Sequence, residues 1–301
     1  NLIAGLLHLA SLIGIVALSN DAAMPVRATY LTDAPTLDAF SDPVQLFNLN
    51  ISWMIGAFLA LSAFFHFLII SPKFFPRYSA GLAARHNYFR WVEYSISSSV
   101  MIVLIALITG VSDVVAIISL FGVNASMILF GWLQEKYEQP GNGGWLPFIF
   151  GCIAGAVPWI ALVFYVLAIG GPGDTKAPAF VYGIVFSIFL LFNTFAVVQY
   201  LQYKKVGKWS DYLRGEKTYI TLSLVAKSAL AWQVFVGHCP KHSMGARIKP
   251  RTILTRSVAV AGLGCNSANS GLVFDENPTT CLTFVVKFFT TPLEIPGKSG
   301  E

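Results

Sequence analysis

The chain has 301 residues, of which 55% are hydrophobic and only 12% are charged, and its formal net charge is +5. A soluble domain of this size would carry about a quarter charged residues, so the composition excludes a soluble enzyme and predicts an integral membrane protein. The sequence contains no hydrolytic, phosphate-binding or nucleic-acid-binding motif. Its basic residues lie in connectors that would face anionic lipid, so we expect membrane lipids and no nucleic acid as partners.

Seven apolar segments predict an all-α membrane protein, a bundle of seven transmembrane helices formed by residues 1–237. A helix needs roughly 20 apolar residues to cross a bilayer. The segment at 2–18 also resembles the core of a signal peptide, but it lacks the basic flank and cleavage site, so we interpret it as the first span. The segments lie at about 2–18, 51–71, 87–110, 114–134, 146–170, 178–202 and 218–237.

The first connector, residues 19–50, is long and acidic, with Asp21, Asp33, Asp38 and Asp42 against Arg27 alone. Its Thr, Pro and Asp content predicts a folded loop such as a hairpin.

The connectors also predict the orientation in the membrane. The second and sixth, residues 71–87 and 203–217, carry most of the basic residues close to the spans. Lys and Arg are enriched in short cytoplasmic loops. The N-terminus is therefore predicted to be cytoplasmic, and both the loop 19–50 and the C-terminus extracellular.

Residues 238–301 differ in character from the rest of the chain, because no apolar period of spanning length continues there. We predict a disordered or weakly structured tail, or the product of a gene-model error. Three of the four cysteines lie in this tail, and no pair has metal-ligand spacing, so no metal site is predicted.

Lys227 lies at the centre of the last apolar segment. A lysine at the middle of a membrane costs about 3 kcal/mol on insertion scales, so such residues are rare and usually functional. Two interpretations remain open on this helix alone. Lys227 is either half of a buried structural ion pair or an amine kept for chemistry, such as a Schiff base with a carbonyl cofactor.

A buried ammonium needs a counter-charge, and Glu93 in the third segment is the clear candidate. Glu135, beside Lys136, is predicted to be a solvated charge at the membrane interface, and Asp113 to cap the fourth helix. Other polar residues share this depth. Ser97 lies on the face of Glu93 and Ser223 on that of Lys227, whereas His8 and His66 lie in the first two spans.

Aromatic and small residues complete a plausible cofactor slot, although at helical spacing such residues more often serve packing alone. They are Trp91, Tyr94, Met127, Gly131, Trp159, Phe192, Phe195 and Trp232.

The segments R-W-V-E-Y-S-I-S-S-S (90–99) and S-L-V-A-K-S-A-L-A-W (223–232), the acidic first loop and the predicted N-inside orientation together resemble the heliorhodopsin family over roughly residues 1–237. The resemblance implies a covalently bound retinal, all-trans in the dark, on Lys227 as a protonated Schiff base. It further implies that Glu93 is the counterion, with Ser223 near the imine. His8 and His66 would form a hydrated, proton-accepting cavity on the cytoplasmic side, and a homodimer would use the loop 19–50. The implied pocket lining is Trp91, Met127, Gly131, Trp159, Phe192 and Trp232.

One internal carboxylate without a further acid toward Gly110 argues against vectorial pumping. We therefore expect a light sensor with a slow photocycle and a signalling partner, and no enzyme. The alternatives are a light-driven proton or ion transporter, and a seven-helix receptor or transporter without retinal.

Overall fold

The computed structural model describes residues 1–36, 39–171 and 176–237, and within them the chain is almost entirely helical. Asp38 of the acidic loop and the tail 238–301 lie outside the described residues. The elements are α1 (Leu2–Ala17), β1 (Ala23–Ala28), β2 (Val44–Asn50), α2 (Ile51–Ile70), α3 (Phe75–Ala83), α4 (Tyr88–Thr109), α5 (Val114–Tyr137), α6 (Leu146–Val166), α7 (Ala179–Tyr203), a 3₁₀ turn (Gly207–Ser210) and α8 (Tyr212–Gly237).

In the described part of the chain, six helices are long and apolar enough to cross a membrane, namely α2 and α4 to α8. The chain is therefore an integral, multi-pass membrane protein. The first predicted span forms α1, an apolar helix of only 16 residues. The last span begins at Tyr212, earlier than predicted, because its first turns contain charged residues that interrupt the apolar run.

Apart from α3, the helices form a closed ring in which each packs on the next, and α1 packs mainly on α2 and also on α8. The sparsest contact between neighbours in this ring is that between α6 and α7. The helix α4 is the most deeply packed, since more of its residues are buried than in any other described helix. Its side chains therefore meet those of several other helices.

The connector 19–50 contains the predicted hairpin, in which β1 and β2 pair as antiparallel strands with an irregularity between Val26 and Arg27. The Arg27 backbone N–H donates to the Ser112 carbonyl at 2.8 Å, so the hairpin lies against the turn before α5. The predicted cap is also confirmed, because Asp113 Oδ1 accepts from the backbone N–H groups of Val115 and Ala116.

The connector 71–87 contains the short helix α3, which a search for apolar runs does not detect. It has a proline in its first turn, and its buried residues are Tyr78 and Gly81. Asn1 donates a hydrogen bond to the Tyr78 hydroxyl at 3.0 Å. The start of α1 and the helix α3 therefore lie at the same end of the bundle.

Candidate functional site

The site is centred on Lys227 and Glu93, which the structure brings together inside the bundle. Lys227 Nζ donates to Glu93 Oε1 at 2.5 Å, and the two side chains are 4% and 7% exposed. Lys227 comes from the middle of α8, and Glu93 from the second turn of α4. An ion pair buried to this extent needs a short contact and further hydrogen bonds, since each charge has lost its hydration.

Two further side chains contact this pair. Ser62 on α2 donates to Glu93 Oε1 at 2.7 Å, so the same carboxylate oxygen accepts from both Lys227 and Ser62. The Tyr94 ring lies below the ammonium, with Nζ 5.2 Å from its centroid. Sequence reasoning missed Ser62, and the only signal for it was its position one helical turn before His66.

The two predicted histidines lie together beside this pair. The rings of His8 and His66 are stacked with their centroids 5.7 Å apart. His66 Nδ1 lies 3.1 Å from Asn1 Oδ1. Both ring nitrogens of the fully buried His8 lack a hydrogen-bond partner among the described residues. The His8 nitrogens are therefore buried polar atoms beside His66, and His66 in turn lines a small cavity.

A small cavity of about 30 Å³, with both apolar and polar side chains in its wall, adjoins the pair on the side of the α4 N-terminus. It has room for at least one water molecule, which needs roughly 10–15 Å³ measured in this way. Its polar lining consists of Asn1, Ser62, His66, Asn87, Arg90, Glu93, Tyr94 and Glu216.

A larger, mainly apolar cavity of about 460 Å³ reaches Lys227 from the other side. Small-molecule sites usually occupy about 300–1,000 Å³. The predicted residues that line it are Trp91, Tyr94, Ser97, Met127, Gly131, Trp159, Phe192, Phe195, Ser223 and Lys227. Of these, the Ser97 hydroxyl has no hydrogen-bond partner in the described structure. Sequence analysis did not assign Arg90, Cys152 or Gln199, which also line this cavity.

Trp232 does not belong to this lining. It follows Lys227 by five residues, which is about 140° around a helix, so the two side chains lie on different faces. The Trp232 ring instead faces α1, where a Cβ on Gly14 would lie 3.6 Å from it. Trp232 is therefore a packing residue between α8 and α1.

Glycines shape the walls of the larger cavity. A Cβ on Gly131 would lie 2.6 Å from the Trp91 ring, and a Cβ on Gly155 would lie 2.6 Å from Met127 Sδ. Each glycine therefore leaves the space that its large neighbour occupies.

A second buried charge cluster lies one turn from Glu93, and sequence analysis did not predict it. Arg90 on α4 forms ion pairs with Glu135 on α5 and Glu216 on α8. The guanidinium also lies over the rings of Trp91 and Tyr219, 4.4 and 4.3 Å from their centroids.

The prediction of a solvated Glu135 is therefore wrong. Its side chain is only 7% exposed, because the Arg90 guanidinium and the Asn87 backbone N–H, at 2.6 Å, both bind it.

These residues fit retinal. The larger cavity is mainly apolar and lined by aromatic rings, as a polyene requires. Among the described residues that line it, Lys227 supplies the one primary amine, and this amine binds a buried carboxylate. An amine in such surroundings is suited to condense with an aldehyde.

Comparisons with known proteins agree with this geometry. The family model of heliorhodopsin matches residues 1–239. Among solved structures, the chain is similar to the crystal structure of a light-driven proton pump LR (Mac) from Leptosphaeria maculans. The TM-score is 0.54 at 16% identity, with 78% of this chain and 91% of that chain covered. This likeness supports a rhodopsin-like fold alone. No curated protein sequence matches the chain. Because the family model spans every described helix together with Lys227 and Glu93, the chain belongs to the heliorhodopsin family of retinal proteins.

Proposed function

We propose that this protein is a light sensor that carries retinal on Lys227 as a protonated Schiff base, with Glu93 as its counterion. The observation that carries the proposal is the 2.5 Å contact between a buried lysine and a buried glutamate at the wall of an apolar cavity.

Lys227 Nζ would hold retinal through a protonated C=N bond formed with loss of water, and the Glu93 carboxylate would balance the positive charge on that nitrogen. Ser62 contributes a second hydrogen bond to the same oxygen of Glu93 and so fixes the carboxylate. A charged, hydrogen-bonded group of this kind is tolerated in an apolar interior only when it is paired.

Retinal supplies light absorption and isomerisation around a double bond. The side chains around Lys227 then decide where the imine proton goes. Glu93 is the nearest acceptor. The cavity with His66 lies directly beyond it, and His8 stacks on His66. We propose that His8 and His66 accept or share this proton.

The distribution of polar groups favours a sensor over a pump. In the described structure, α4 carries no acidic residue after Glu93. Its second half is apolar and buried, and it includes Met101, Leu104 and Leu107. A proton that leaves Lys227 toward the end of α4 would therefore meet no carrier. We further propose that the photocycle is slow and that the protein signals to a partner.

For the topology, we propose seven spans with a cytoplasmic N-terminus, so that residues 1–237 form the retinal-binding domain and 238–301 a separate tail. At 1.5 Å per residue, α1 is about 24 Å long, shorter than the roughly 30 Å hydrocarbon core. Local thinning of the bilayer accommodates such a mismatch.

We also propose a homodimer that uses the loop 19–50. The exposed side chains there include Tyr30, Phe40 and Phe47, each about half exposed. Exposed apolar residues on an extracellular hairpin are suited to contact a second copy.

Reconstitution of the purified protein with all-trans retinal tests the pigment. A visible band should form and should be absent in Lys227→Arg, while Lys217→Arg, on the exposed side of the same helix, should retain it. If folded wild-type protein forms no band, or if Lys227→Arg retains the band, the proposal is refuted.

Vesicles containing the pigment test the sensor against the transporter. We expect no sustained light-induced change in pH or current. A sustained change that requires Lys227 would establish transport instead.

A further inference from the structure

The cluster of Arg90, Glu135 and Glu216 holds one positive and two negative groups in the interior. The exposed fractions of the three side chains are 4%, 7% and 3%. Arg90 Nη1 binds Glu216, and Nη2 binds Glu135, so one guanidinium joins α4 to both α5 and α8. Asn87 also holds both carboxylates in place, since its backbone N–H donates to Glu135 at 2.6 Å and its side-chain amide donates to Glu216 at 2.8 Å.

Arg90 is also a natural partner for Glu93. The two residues are three positions apart on α4, the spacing at which basic and acidic side chains pair on a helix surface. Both side chains line the same cavity of about 30 Å³. Even so, the guanidinium does not bind Glu93, whose hydrogen-bond donors in the described structure are Ser62 and Lys227.

We propose that Glu135 and Glu216 position Arg90 away from Glu93 and so reserve the Glu93 carboxylate for the nitrogen of Lys227. The guanidinium fork matches two carboxylates at once, and the rings of Trp91 and Tyr219 fix its plane. The acids thus act through Arg90 and have no contact with the retinal-bearing nitrogen.

This inference rests on the proposed function, because its consequence is a property of the Schiff base. If Arg90 turned toward Glu93, two cations would share one carboxylate. The imine would then lose its proton at a lower pH, and the band of the protonated pigment would move to longer wavelength because its counterion is weaker.

Other titratable or charged groups face Lys227, Glu93 and Arg90 from the surrounding helices, and they must stay constant in the test. They are His8 on α1, His66 on α2, Tyr78 on α3, Tyr94 on α4, Cys152 on α6, Tyr203 on α7, and Tyr212 and Tyr219 on α8.

The test is a spectroscopic pH titration of the visible band in a cycle of four proteins: wild type, Glu216→Gln, Arg90→Gln and the double variant. Glu216→Gln should lower the titration midpoint by about one to three pH units, the usual effect of a charge within reach of a titrating group. In the Arg90→Gln background, the same substitution should have less than half of this effect. Glu138→Gln, at the end of α5 and without an ion pair in the described structure, should leave the midpoint unchanged.

Equal shifts in both backgrounds would refute the inference, because they would reflect only the loss of the Glu216 charge acting through space. No shift in either background would refute it as well. If Glu216→Gln does not fold, the cycle is run with Glu135→Gln, which frees the other half of the guanidinium.

A structural measurement on the retinal-free protein makes the test independent of the pigment. In the Glu216→Gln variant, the Arg90 guanidinium should lie within hydrogen-bond distance of Glu93, and an unmoved guanidinium refutes the inference. If the wild type forms no pigment, the proposed function fails while this result still stands. If the pigment forms normally and Arg90 stays in place, the inference alone fails.

Discussion

Replacing Gly131 by alanine tests how tightly α5 and α4 form the wall of the larger cavity beside Lys227. An added Cβ would lie 2.6 Å from Trp91 Cζ3 and 2.8 Å from Cη2, so the indole ring must move. Its freedom is limited, because the Arg90 guanidinium lies 4.4 Å from the ring and is itself held by two glutamates. The ring is therefore expected to move into the cavity.

The magnitude follows from two opposing effects. Overpacking of a tight interior costs about 1–3 kcal/mol, whereas replacing a helical glycine by alanine gains about 0.5–1 kcal/mol. Gly131→Ala should thus lose up to about 2.5 kcal/mol of unfolding free energy, and about 1 kcal/mol at the middle of both ranges. Gly122→Ala on the same helix is the matched control, since its Cβ would meet nothing within 4 Å. Gly122→Ala should therefore show only the gain of about 0.5–1 kcal/mol in unfolding free energy.

The assay compares the thermal unfolding of both variants in detergent, with and without retinal, and their yield of pigment. Gly131→Ala should melt below the wild type and should form less pigment or a band of altered position, and Gly122→Ala should do neither. Equal melting temperatures and identical spectra for the two variants would show that Trp91 can yield freely, and the argument for a close-packed wall would fail.

Three further substitutions test other parts of the structure. Glu93→Gln removes the negative charge 2.5 Å from Lys227 Nζ. A charge pair at 4 Å is worth about 4 kcal/mol at the effective dielectric of proteins. The imine should therefore lose its proton, and the visible band should disappear, at a pH roughly three units lower than in the wild type. An unchanged titration would exclude Glu93 as the counterion. Asp113→Ala removes the cap of α5 and should lower the unfolding free energy by about 1 kcal/mol, whereas Asp113→Asn should retain most of it. Equal losses in both would show that the cap is unimportant. Asn124→Ala leaves Ser98 and Ser99 without their donor and should lower the melting temperature by the equivalent of about 1–3 kcal/mol. Ser126→Ala on the exposed face of the same helix is its control, and an equal effect of both would refute a special role for Asn124.

The central ion pair could be predicted from the sequence because charges are rare in the middle of apolar segments. Glu93 was the one candidate of opposite charge at a depth similar to that of Lys227, and in the structure the two side chains are 2.5 Å apart. The hairpin and the Asp113 cap were predicted for a similar reason, since short local patterns determine them. The bounds predicted for the first segment agree with α1 within one residue, whereas α8 begins six residues before its predicted start, because hydropathy does not determine where a helix begins.

The cluster of Arg90, Glu135 and Glu216 could not be predicted in the same way. Each residue lies near the end of an apolar segment, where a charged side chain usually reaches the aqueous interface. Their pairing joins three helices that are distant in the sequence, and nothing local indicates it. The placement of Trp232 failed for a related reason, since aromatic content alone does not determine which face of α8 meets the cavity.

The uneven distribution of polar groups along α4 links the fold to the proposed sensor. Between Asn87 and Ser99 this helix carries Arg90, Glu93 and a series of serines, whereas from Val100 to Leu107 its side chains are apolar. The histidine pair and the Arg90 cluster both lie toward the Asn87 end, next to the small cavity. Along α4, the titratable groups that could accept a proton from Lys227 therefore lie on one side only in the described structure. Under the proposed function, a proton released at Lys227 would return by the same route, and each turnover would change the arrangement of charges at that end of the bundle.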